Sequence, residues 1–146
     1  MKAKIKYVVK EEEGRVIAMF DKNCKLEEVP MTRTDEVRKL DHPTVRDVFF
    51  GLYDINGSTR PSDFDNLRGV ATCDPRDTFD VSEGKKIARK KLLKKYHHRM
   101  KRGYELDIET LKKVISHFEE FEKIHAAEEK RLTESLEEDL EGEKNE

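Results

Sequence analysis

Tryptophan is absent from this chain, cysteine occurs twice, and the longest apolar run, Val16 to Phe20, is five residues. A run that short excludes a membrane-spanning helix, which needs about 20 apolar residues. Cys24 and Cys73 lie too far apart in sequence to form a metal-ligand spacing, so the expectation is two reduced thiols in an intracellular protein, in the cytoplasm of its host cell. Met1 to Lys10 interleaves lysines with Ile5, Tyr7, Val8 and Val9, and no export signal is expected from it. A phosphate-cradling loop is also missing, because no Gly-rich segment precedes a Lys-Ser/Thr pair.

Charge is what the chain has in abundance. Of its 146 residues 42% are charged and 35% hydrophobic, yet the net charge is only −2. That near-neutral sum hides a reversal. Residues 85 to 102 carry ten Lys/Arg and no acid, whereas residues 104 to 146 carry fifteen Asp/Glu against six Lys/Arg. Such a lean apolar supply fits one small domain with much exposed helix, its core drawn from residues 3 to 100.

Periodicity places the elements. Residues 3 to 9 and 15 to 20 are rich in β-branched and aromatic residues around a Glu11-Glu12-Glu13-Gly14 turn, the pattern of a hairpin. Thr34 is the expected cap of one short helical turn, with Val37 and Leu40 on one side. Val45, Val48, Phe49, Leu52 and Tyr53 recur at helical spacing behind Thr44, a good N-cap; a strand through Phe49 to Tyr53 is the alternative. Gly69 to Cys73 reads as a short third strand. A helix then starts near Asp80 or Ser82, with Ala88, Leu92, Leu93, Tyr96 and Met100 on one side. Gly103 is expected to end it and Asp107 to cap the next, whose seam runs through Leu111, Val114, Ile115, Phe118, Phe121 and His125. Gly84 implies close approach of another backbone. The expected organisation is a compact domain over 1–103, a charged helical extension over 104–136 and an acidic disordered tail over 137–146.

Residues 69 to 88 carry the block Gly-x-Ala-x-Cys-x-x-x-Asp-x-Phe-Asp, four residues, then Gly-x-x-Ile-Ala. This block, with the Val8 to Phe20 opening, resembles small proteins of Firmicute phages, prophages and conjugative elements. The resemblance covers about 35 residues. It implies a habitat and a strand, acidic loop and helix within an α+β domain; it carries no activity and no site residues. The long charged stretch after Gly103 departs from that pattern.

Several chemistries can be weighed from the residues alone. Ten cations over about 27 Å of helix suit a phosphate backbone, with Tyr96, His97 and His98 available for stacking or hydrogen bonds. The same charges also suit a solvated face, an acidic protein partner, or neutralisation by the acidic stretch folding back as a hairpin. Asp74, Asp77, Asp80 and Glu83 oppose a nucleotide phosphate at the helix entrance and read as an acidic, capped loop before a Mg²⁺ site. Residues 54 to 65 carry oxygen donors at EF-hand spacing, but Thr59 stands where the sharp turn needs glycine and Asp65 where glutamate is usual. His97, His98, His117 and His125 assemble into no zinc set, and Cys73 reads as a small buried hydrophobe.

The resulting expectation is an α+β fold: a small antiparallel sheet packed by helices, then a long C-terminal helical hairpin. The expected function is that of a non-enzymatic phage or mobile-element accessory protein, with no cofactor and no metal. Nucleic acid is contacted non-specifically through Lys86, Lys90, Lys91, Lys94, Lys95, Arg99, Lys101 and Arg102. The alternative is an interaction module that inhibits or adapts a host or phage protein, or forms a homodimer, through Leu111, Phe118 and Phe121.

Overall fold

The computed structural model describes residues 4–21, 31–56, 64 and 66–144, and divides into two units, Met1–Asp107 and Ile108–Glu146. The fold is α+β, as the periodicity predicts. Strands β1 (Ile5–Lys10), β2 (Arg15–Phe20) and β3 (Gly69–Thr72) form an antiparallel sheet in the order β1-β2-β3. Val8 pairs with Ile17 across the hairpin and Val16 with Ala71 across the second ladder. Glu11 to Glu13 close the hairpin as one 3-10 turn that ends on Gly14 in the left-handed region, at φ 61°, which glycine adopts without a Cβ penalty.

Helix α1 spans Arg33–Lys39, α2 Pro43–Asn56 and α3 Val81–Lys144. The cap of α1 is Thr32, not the expected Thr34. Its hydroxyl accepts from the Asp35 amide at 3.1 Å while the Asp35 carboxylate accepts from the Thr32 amide at 3.0 Å, a reciprocal capping box. Thr32→Ala should therefore lower stability by about 1 kcal/mol, whereas Thr34→Ala, inside the helix, should leave the urea midpoint nearly unchanged. Helix α2 confirms the helical reading over the strand. Pro43 occupies its first position, where the missing N–H is harmless, and the His42 imidazole, in place of Thr44, accepts from the Val45 amide. Phe49 and Leu52 are its buried residues; Val37 is buried on α1, but Leu40 is exposed.

The core lies between the sheet and the first third of α3. Alternation on β2 buries Val16, Ala18 and Phe20, and four-residue spacing on α3 buries Ala88, Leu92, Tyr96 and Met100. Phe20, Phe64 and Tyr96 pack edge-on or tilted, with centroids 5.7 to 6.3 Å apart, the geometry aromatic quadrupoles prefer. The Tyr96 hydroxyl donates to the Met31 carbonyl. Phe79 packs against this core just before the helix begins. Asp80 caps α3 by accepting from the Glu83 amide at 3.2 Å. Gly84 meets the Val16 side chain, not another backbone. The backbone approach occurs at Gly69, where a Cβ would lie 2.0 Å from the Ala88 carbonyl and 2.5 Å from the Leu92 nitrogen.

The expected helical hairpin does not form, because α3 continues unbroken through Gly103 and Asp107 to Lys144. Gly103 is a space-making residue: a Cβ there would lie 2.1 Å from the Arg33 guanidinium carbon. Asp107 is no cap; its carboxylate pairs with Arg33 at 3.7 Å with both side chains buried. The compact unit consequently runs to Asp107, past the expected boundary at Gly103. The stretch from 137 is helical as far as Lys144. Residues 57–63 and 65 of the calcium-like spacing, and Cys24, lie outside the described residues.

Candidate nucleic-acid interface

Gly69 positions the site. Because no side chain separates β3 from α3, Arg68, just before the strand, lies beside the outer flank of the helix. The residues that line that flank are Lys91, Lys94, Lys95, His98 and Arg99, with Asn66, Leu67 and Arg68 opposite, around a groove of about 620 Å³. Five of the lining residues are Lys or Arg and none is acidic. Lys91, Lys95 and Arg99 recur every four residues, so they stand in a row at intervals of about 6 Å.

Two of these lysines are anchored by the sheet. β3 is an edge strand, and among the described residues no further strand pairs with its outer side. The Lys91 ammonium donates to the Val70 carbonyl at 3.0 Å and the Lys95 ammonium to the Arg68 carbonyl at 2.7 Å. The bonds orient both head groups without neutralising them, since a carbonyl carries only a partial charge, and lysine over an exposed edge also discourages strand addition. The Arg68 guanidinium donates to the Met19 sulfur, a weak acceptor.

Of the eight residues expected to meet nucleic acid, the structure brings four, Lys91, Lys94, Lys95 and Arg99, into this groove. Lys86 and Lys90 are exposed on the helix but do not line it. Lys101 and Arg102 both reach Glu105, at 3.6 Å and 2.5 Å. The hydrogen bond from Arg102 holds the Glu105 carboxyl below the usual carboxylate range, and the Arg102 and Lys101 charges add to that effect. When ionised, Glu105 offsets part of their field. Lys85 turns toward the sheet, over the Tyr7 ring at 5.5 Å. Sequence reasoning missed Arg68 and Asn66. The one signal for Arg68 was its place directly before a glycine that opens a strand.

The acidic entrance of α3 is largely accounted for by local bonds. Asp74 accepts from the Arg76 amide and guanidinium, which hold its carboxyl below the usual range, and Asp80 is the cap. The Cys73 thiol is half-buried and donates to the Asp74 carbonyl at 3.4 Å. Among the described residues no three His, Cys, Asp or Glu side chains are grouped to hold a metal ion, and no helix is long and apolar enough to cross a membrane.

In the second unit, Leu111 is half-buried, while Phe118 and Phe121 are exposed. Among the described residues of that unit nothing covers them.

Comparison offers no shortcut. The chain matches no protein-family model, no curated protein and no solved structure.

Proposed function

We propose that this chain is a non-enzymatic binding protein that engages nucleic acid through the groove between Arg68 and the Lys91–Arg99 flank of α3. The observation that carries the reading is a groove lined by five Lys/Arg and no carboxylate. A row of cations at intervals of about 6 Å is close to the spacing of every second phosphate along one strand, about 7 Å. Three of the five cations are lysines, point charges suited to phosphate, which favours contact with the sugar–phosphate backbone. The block at residues 69 to 88 supports an accessory role in a phage or mobile element, in the host cytoplasm.

Fluorescence anisotropy with labelled duplex and single-stranded DNA tests this. Five phosphate contacts predict a log–log salt slope of about −4.5 on duplex and about −3.5 on a single strand. Lys94→Glu should reduce the slope by at least about one and weaken binding on every sequence alike. Lys90→Glu makes the same change in net charge outside the groove, and should weaken binding less. Equal losses from the two variants, or no salt-dependent binding by the native chain, would sink the proposal.

A further inference from the structure

The second unit exposes an apolar face that the nucleic-acid reading does not use. Residues 108–144 form about 55 Å of helix, and none of their side chains is buried. At 100° per residue, Leu111, Phe118, Phe121, Leu132, Leu136 and Leu140 fall within one sector of about 100°. Phe118 is 67% exposed, Leu136 61%, Leu140 58% and Phe121 57%. The rest of the helix surface is mostly charged. A long helix with one apolar stripe gains stability by burying it against another element.

We propose that the occupant of this stripe is the same helix of a second copy, running antiparallel. Area is the first argument. Six large side chains that expose on average about 100 Å² supply roughly 600 Å², and the stems of flanking Glu and Lys bring the face to roughly the 800 Å² per partner of a standard interface. Charge decides the direction. Residues 108–126 carry four Asp/Glu against three Lys/Arg, whereas residues 127–144 carry eight against three. Parallel pairing sets a net −5 segment on its own copy; antiparallel pairing sets it on a net −1 segment that includes His117 and His125. An axis beside His125 then matches Leu111 with Leu140, Val114 with Leu136, and Phe118 with Leu132 of the second copy. The helix dipoles also oppose each other in that arrangement.

The pairing is independent of the basic groove, and the full-length chain tests it. Sedimentation velocity from about 1 to about 100 μM should show a concentration-dependent dimer. Phe118→Glu and Leu132→Glu should each raise the dissociation constant at least about a hundredfold, while the melting of the compact first unit stays unchanged. In a Cys24→Ser, Cys73→Ser background, Val114→Cys and Leu136→Cys should cross-link when the two chains are mixed, and neither alone. A monomer throughout the concentration range overturns the proposal and assigns the stripe to a different protein. Cross-linking by each single-cysteine chain alone overturns the antiparallel direction.

Discussion

Gly69→Ala is expected to lower the melting temperature of this protein more than any other single-methyl addition. The new Cβ would lie 2.0 Å from the Ala88 carbonyl and 2.5 Å from the Leu92 nitrogen. Both obstacles are backbone atoms of α3, so no rotamer change can relieve the clash, and strand and helix must move apart. That separation loosens the contacts of Ala71, Leu92 and Val16 together, because all three belong to the layer between sheet and helix. Overpacking of a core costs about 1–3 kcal/mol when side chains can adjust; here we expect at least about 3 kcal/mol, at the top of that range. For a unit of this size that corresponds to a fall of roughly 15 °C in melting temperature. Gly51→Ala is the internal control. It lies within α2 with nothing within 4 Å of an added Cβ, and should stabilise by up to about 1 kcal/mol. Calorimetry on the two variants reads both signs in one experiment. A Gly69→Ala protein that melts with the native chain would show that strand and helix do not meet at this distance. The same substitution should weaken nucleic-acid binding, because it displaces Arg68 from Lys95.

Asp107→Ala is expected to cost about 3–5 kcal/mol, the range found when one member of a buried ion pair is removed. Arg33 is 3% exposed and Asp107 4% exposed, so the variant leaves a guanidinium in the interior without this counter-charge. Arg33 also packs against the Cα of Gly103 and faces the Tyr104 ring at 6.0 Å, which prevents it from swinging out to water without opening the junction of α1 and α3. Replacing both partners with apolar residues of similar volume, Arg33→Met with Asp107→Leu, should recover most of the loss, since the desolvation cost of both charges then vanishes. Arg33→Lys should not recover it, because an ammonium cannot reproduce the flat guanidinium stacked on Gly103. Guanidinium chloride would screen the pair, so urea is the denaturant of choice. Equal midpoints for Asp107→Ala and the double variant would show that the pair contributes nothing beyond packing.

These two sites also mark where local sequence signals mislead. Gly103 has the residue type and position of a helix stop, and Asp107 those of the next cap. Both signals are short-range, and both lose to one long-range partner, Arg33, which is 70 residues upstream of Gly103. A glycine in mid-helix costs about 1 kcal/mol relative to alanine; here it leaves the space that the Arg33 guanidinium fills. The basic block shows a milder version of the same effect. Its charges were plain in the sequence, but which of them share a groove depends on which flank of α3 faces Arg68. Lys101 and Arg102 dropped out because Glu105, one turn further on, meets them both.

Although the caps of α1 and α2 were placed on the wrong residues, most of what was legible in the sequence alone depends on neighbours within about four residues. That covers the three strands, the helical reading of residues 43–56, the Asp80 cap, the stripe from Ala88 to Met100, and the exposure expected of a highly charged second unit. Each rests on a backbone period or a cap that short stretches of chain decide for themselves. Tertiary structure decided the rest: the continuity of α3, the pairing of Arg33 with Asp107, and the joining of Arg68 to Lys91, Lys94, Lys95 and Arg99. Those outcomes depend on which distant surfaces can approach closely, and Gly69 and Gly103 permit that approach by what their side chains omit.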